Sequence, residues 1–280
     1  MIKRIFKNQQ ILDFKRYLVE QERSENTIKK YLHDVGFFFE QLNGADINKQ
    51  NVIFYKESLG KMYTPSGANS MIAALNSFFK FLGWYECCVK QFKIQKSVFA
   101  SEEKEMSREE YIRLVKCAES RHNERLALLI QTICSTGMRV SELEFVTVES
   151  VKRGEINVFC KGKRRVVFIV KELRKRLLAY AKRKGIYCGR IFITRSGAAM
   201  NRCNIWREMK ALCKEAGVLP SKVFPHNLRH LFARVFYRAD KDIAKLADIL
   251  GHSSINTTRI YIMTTGAEHR RRMEGMRLII

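Results

Sequence analysis

Apolar residues recur at helical spacing in two long blocks, and a polar, charged stretch separates them; that interruption constrains the fold more than any other feature. Ile11, Phe14 and Leu18, and then Ile28, Tyr31, Leu32, Val35, Phe38 and Phe39, follow one another at spacings of three and four, the period of a helix with one buried face. Ser24 is a suitable N-cap for the second of these helices and Asn43-Gly44 a stop. A short third helix is expected from Gln50 to Ser58. Thr64-Pro65 supplies a cap followed by proline at the first helical position, opening a fourth helix that runs through Ser70 to Phe81 and closes at Gly83. From Gln91 the period fades into a stretch carrying Lys93, Lys96, Glu102, Glu103 and Lys104. The division expected is a helical domain over residues 1–92, a linker over 93–105 and a second domain over 106–280.

The second domain opens with Ser107-x-x-Glu110, the spacing of a capping box, before Tyr111, Leu114 and Val115. A buried helix over Glu124 to Cys134 should end at Thr136-Gly137. Between Glu155 and Val170 the pattern becomes extended. Ile156, Val158 and Cys160 alternate, a basic cluster from Lys161 to Arg165 interrupts, and Val166 to Val170 is a β-branched run, which predicts a hairpin with a basic tip. Helices are expected again at Glu172 to Arg183, after Asn201, at His226 to Arg238, at Asp242 to Leu250 and from Ser254 to the end. The fold class is mainly α with one small β-hairpin. No internal repeat is present, which excludes a solenoid.

Charge narrows the function. Across 280 residues Lys and Arg outnumber Asp and Glu by 52 to 28. Residues 1–103 hold 15 basic and 11 acidic side chains, and residues 104–280 hold 37 and 17. An excess of this kind favours a polyanionic partner, because each neutralised phosphate releases condensed counterions, and it points to a DNA-binding surface in the second domain. The longest apolar stretches, such as Val166 to Val170, fall far short of the ~20 residues of a spanning helix. The basic start lacks the apolar run of a signal peptide. Eight cysteines show no paired metal-ligand spacing and are expected to be reduced, with no zinc site.

Five elements of the second domain place a cationic or nucleophilic group at the end of a helix or hairpin: Arg139 in TGMRVSEL, Lys161 in FCKGKRR, His226 and Arg229 in FPHNLRH, His252 after Gly251, and Tyr261 in RIY. Each has an ordinary structural explanation. Arg139 could pair with Glu142 or Glu144, Lys161 could be solvated, His252 could cap carbonyls, and Tyr261 could be core. His226 and Arg229 lie three apart and so project from one helical face toward one partner.

Taken in order, TGMRVSEL, the hairpin lysine, PHNLRH and LGHSSINTTRIY resemble the tyrosine recombinases, the phage integrase superfamily that includes the Xer proteins, and SENTIKKYLHDV is similar to that family's core-binding domain. The resemblance implies a four-helix, SAM-like core-binding domain and an α+β catalytic domain. It implies cleavage and rejoining of duplex DNA through a covalent bond to Tyr261, a 3′-phosphotyrosine with a free 5′ hydroxyl, without cofactor, metal or ATP. Arg139 and Arg229 suit a clamp on an anionic phosphate, Lys161 an acid for the departing oxygen, His226 a base, and His252 a further donor to the phosphate.

The implied partners are double-stranded DNA recombination sites and three further copies of the chain in a tetramer exchanging strands through a Holliday junction, with residues 267–278 donated to a neighbouring protomer. An accessory directionality protein is left open, and the implied location is cytoplasmic, at the bacterial nucleoid. The hairpin tip is one residue shorter than is common in Xer-like proteins, so Lys163 competes with Lys161. Leu231 and Ile262-Met263 also depart from the family pattern. The early start of the core-binding helices implies no arm-binding domain, hence simple inverted-repeat sites. A type IB topoisomerase, a DNA-binding protein that has lost catalysis and an RNA-binding protein are the alternatives. The separate helical domain, the complete reactive set and the lack of aromatic-rich strands disfavour them in turn.

Overall fold

A computed structural model describes residues 7–94, 102–160, 163–263 and 266–276. Backbone contacts divide the chain into two compact units, Met1–Lys96 and Ser97–Ile280.

The first unit is built from α1 (Asn8–Glu20), α2 (Glu25–Leu42), α3 (Lys49–Met62) and α4 (Pro65–Phe81). Ser24 and Thr64 cap α2 and α4 as their spacing predicts, and Asn43 ends α2 in the left-handed conformation. The core is aromatic: Phe14, Phe38, Phe78 and Phe79 are fully buried, and Phe38 meets Tyr55 edge-on at 4.8 Å. Such contacts add about 0.5–1.5 kcal/mol to plain burial. One expectation is corrected here. Helix α3 does not stop at Ser58 but continues to Met62, because Leu59 extends the buried stripe of Val52 and Tyr55 and the Ser58 hydroxyl bonds back to the Tyr55 carbonyl. Gly60 lets the Phe92 ring lie against the helix, where a Cβ would come within 2.9 Å of it.

The second unit contains α5 (Arg108–Ser120), α6 (Glu124–Thr136), α7 (Val148–Arg153), strands β1 (Glu155–Cys160) and β2 (Lys163–Phe168), and then α8 (Lys171–Arg183), α9 (Arg202–Ala211), α10 (Cys213–Ala216), α11 (Pro225–Asp240), α12 (Ile243–Leu250), α13 (Ile255–Tyr261) and α14 (Gly266–Gly275). Ser107 and Glu110 form the expected capping box on α5. Gly137 closes α6 at φ +65°, where an added Cβ would meet the Phe232 ring at 2.4 Å, so both conformation and space require glycine. The main core centres on α6, with Leu126, Leu129, Ile130 and Ile133 packed against Ile156, Leu177, Ile205 and Leu228. A smaller core holds Ala233, Leu246, Leu250 and Tyr261.

Two further expectations change. The strands pair antiparallel with Cys160 opposite Lys163 and Val158 opposite Arg165, so Lys163, Arg164 and Arg165 belong to β2 rather than to a tip. Positions 161 and 162 lie outside the described residues. The helix expected from Ser254 onward is two helices, since the chain leaves helical geometry at Ile262, which packs with Tyr261 into the small core. Among the described residues no helix is long and apolar enough to cross a membrane, and no cluster of three or more His, Cys, Asp or Glu could hold a metal ion.

Candidate active site

Helix ends assemble the site. Proline at the first position of α11 starts that helix immediately before His226, so His226, Arg229 and His230, at i, i+3 and i+4, share one face. The end of α6 presents Gly137 and then Arg139. The end of α12 presents Leu250 and Gly251, and His252 follows. Ser254 caps α13, whose last residue is Tyr261.

Arg229 is the largest fully buried side chain among the described residues, at 1% exposure. Its Nη1 donates to the Gly137 carbonyl at 2.6 Å and its Nη2 to the Leu250 carbonyl at 2.6 Å. These carbonyls end α6 and α12, where the helix dipole favours a cation, and they offset part of the cost of burying the charge. Burial, and then the Arg139 guanidinium, still push the Arg229 pKa down to about 10, which leaves it cationic at neutral pH. Its Nε is buried and has no hydrogen-bond partner among the described residues.

Tyr261 is buried against this group, with its ring 5.9 Å from the Arg229 guanidinium carbon and its hydroxyl 3.1 Å from Nε2 of His226. Burial and the guanidiniums of Arg229, Arg139 and Arg202 lower the His226 pKa, so the imidazole is neutral at pH 7, and in its Nδ1-protonated tautomer Nε2 accepts from the phenol. His252 places Nε2 3.0 Å from Nη2 of Arg229 and Nδ1 2.8 Å from the Thr258 hydroxyl. Its pKa is pushed down to about 4 by burial and then by Arg229 and Arg139. A neutral ring in that position accepts from Arg229 through Nε2 and donates to Thr258 through Nδ1. Its side chain therefore caps no carbonyl.

Arg139 pairs with Glu142, as its ordinary structural explanation had it: Nη1 reaches Oε1 at 3.0 Å and the backbone N–H reaches Oε2 at 2.7 Å. The side chain is nevertheless 36% exposed, and it lines an open cleft together with Arg202, Trp206, His226 and Arg229. Thus Arg139, His226, Arg229, His252 and Tyr261 come together around one point. Lys161 lies outside the described residues, as does the side chain of Lys163.

Three residues of the cluster were not among the candidates. His230 stacks on the Tyr261 ring at 4.1 Å; its place one helical turn after His226 was a usable signal. Thr258, fully buried, holds His252. Glu142, 1% exposed, receives both Arg139 and Arg165.

A buried tyrosine hydrogen-bonded to a neutral histidine and flanked by guanidiniums has the groups that nucleophilic attack on a phosphodiester requires. The phage integrase family model matches residues 104–268 and the model of the phage integrase N-terminal SAM-like domain matches residues 11–86. The chain belongs to the phage integrase family, whose tyrosine recombinases cleave and rejoin DNA. It is 29% identical to the tyrosine recombinase XerA of Thermococcus kodakarensis, over 97% of this chain and 96% of that protein. Its fold matches a crystal structure of XerH site-specific recombinase bound to palindromic difH substrate in a post-cleavage complex, with a TM-score of 0.71 at 20% identity over 89% of this chain and 78% of that one. It also matches a lambda integrase tetramer bound to a Holliday junction, with a TM-score of 0.73 at 16% identity over 92% and 77% of the two chains.

Proposed function

We propose that Tyr261 is the nucleophile of a site-specific recombinase and that the surrounding cations hold the scissile phosphate. The phenol Oη attacks phosphorus, its proton passes to Nε2 of His226, and the bond from phosphorus to the 5′ oxygen breaks. The products are a 3′-phosphotyrosine and a 5′ hydroxyl. A phenol with an ordinary pKa near ~10 is a weak nucleophile at neutral pH; a neutral imidazole within hydrogen-bond reach supplies the missing base. The 3.1 Å contact between Tyr261 and His226 carries the reading.

Arg139 from the open cleft, and Arg229 through its unpartnered Nε, neutralise the charge that gathers on the non-bridging oxygens. His252 donates to the phosphate in its other tautomer, with the Thr258 hydroxyl then donating to Nδ1. Lys161 protonates the leaving oxygen, with Lys163 its rival. Because one phosphate ester is exchanged for another, the reverse attack by a 5′ hydroxyl rejoins the strand without ATP.

The substrates are duplex recombination sites, and the chain works as a homotetramer on two of them in integration, excision, inversion or resolution. The lambda integrase tetramer bound to a Holliday junction supports this assembly. The test is incubation with a site nicked beside the cleavage point, so that the short fragment diffuses away and the covalent adduct accumulates. Wild type is expected to form the adduct and Tyr261→Phe to form none. Equal trapping by both, or none by wild type on a site it binds, would contradict the assignment.

A further inference from the structure

Strand β2 alternates sharply. Val167 and Ile169 are buried while Val166 and Phe168 are exposed, and by the same parity Arg165 points inward, opposite the buried Val158. Its side chain is only 11% exposed. There it makes three contacts. Nη2 bonds Oε2 of Glu142 at 2.5 Å. Nη1 donates to the carbonyl of Ile249, in the last turn of α12. The aliphatic stem crosses Gly251 so closely that a Cβ there would lie 2.5 Å from Cδ of Arg165.

Glu142 thus faces two guanidiniums with one carboxylate. With Arg139 alone, a buried carboxylate would form a full ion pair and cancel the charge that a phosphate needs. Shared between two arginines, the group carries a net positive charge. We propose that Arg165 is a positioning residue for the phosphate clamp: it shares Glu142 so that the charge of Arg139 is not fully compensated and its guanidinium stays available to the phosphate. This rests on the reading of Arg139 and Arg229 as phosphate ligands. Arg165 itself spends its Nη groups on Glu142 and on the end of α12.

A clamp that works through charge differs from simple structural support in its dependence on the charge of the substrate. A methylphosphonate at the scissile position carries no charge on its non-bridging oxygen and has less need of a cationic clamp. Adduct formation on the nicked site is measured for wild type, Arg165→Met and the double variant Glu142→Gln with Arg165→Met, on phosphodiester and on methylphosphonate, with thermal melting alongside. Arg165→Met is expected to slow trapping about 100-fold on the phosphodiester, the scale of a misplaced reacting group, and less than about tenfold on the methylphosphonate. The double variant, which has no carboxylate to withhold Arg139, is expected to stay within about tenfold of wild type on the phosphodiester.

A single variant that traps like wild type overturns the proposal, as does a folded one equally impaired on both substrates. If the single variant does not fold, the double variant decides: a loss beyond about 100-fold on the phosphodiester overturns the proposal. Absence of an adduct with wild type itself contradicts the assignment of Tyr261, a different failure.

Discussion

The imidazole of His230 stacks on the ring of Tyr261, with centroids 4.1 Å apart and planes 23° from parallel. His226 meets the same tyrosine edge-on, with centroids 5.3 Å apart and Nε2 3.1 Å from its hydroxyl. One histidine sets the plane of the phenol and the other sets its hydrogen bond.

If stacking aims the phenol, a flat ring at position 230 is sufficient. His230→Phe is expected to trap DNA within about threefold of wild type. His230→Ala is expected to lose about tenfold, the rate equivalent of ~1.4 kcal/mol and within the range of an aromatic contact. Single-turnover trapping rates check this, and an impaired Phe variant would assign the nitrogens a role of their own.

The pH dependence of cleavage follows from His226. Its pKa lies below the usual 6.5, so the base remains unprotonated as the pH falls through that value. The acid limb of the cleavage rate is therefore expected below pH 6.5, and a limb at or above 6.5 would remove His226 as the base.

Stability should show the same histidines with a definite sign. Burial holds His230 down to about 3 and His252 to about 4, whereas in the unfolded chain both protonate near the usual 6.5. Between about 6.5 and 3 the unfolded state binds more protons, so stability falls as the pH falls through that window and is fully present above it. Urea midpoints at pH 7.5 and pH 5 should differ in that direction, and His230→Phe should reduce the difference. An equal or larger difference in the variant would show that the loss arises elsewhere.

Gly137 joins stability to the site, because its carbonyl accepts from Arg229. At φ +65°, with the Phe232 ring 2.4 Å from a new Cβ, Gly137→Ala is expected to cost about 2–4 kcal/mol in unfolding free energy, combining left-handed strain with overpacking. Denaturant unfolding measures it, and a cost below ~1 kcal/mol would mean that the ring and the carbonyl move freely.

For Lys161 the expectation concerns the leaving group. Lys161→Ala should slow cleavage of an ordinary site, and a 5′-phosphorothiolate, whose sulfur departs without protonation, should restore it. Restoration in Lys163→Ala instead would transfer the acid role to that residue.

The parts of this site that local patterning controls were legible. The spacing of His226 and Arg229 placed both on the face that meets Tyr261, and Thr64, Ser107 and Gly137 capped their helices through rules that act within one turn. What was missed depends on long-range packing. The extension of α3 past Ser58 buries Leu59 in a core and lays Gly60 against Phe92, and the break after Tyr261 reflects a core shared with α11 and α12. Arg165 was counted with a basic tip, yet it shares a buried carboxylate with an arginine 26 positions away, a pairing that only the strand register makes visible.

The most direct measurement is the identity of the residue joined to DNA. Trypsin cuts after Arg259 and Arg270, so digestion of the trapped adduct, followed by nuclease and mass spectrometry, should find the nucleotide remnant on the peptide of residues 260–270, with fragment ions placing it on Tyr261. A remnant on any other residue, or an adduct that persists in Tyr261→Phe, would contradict the account.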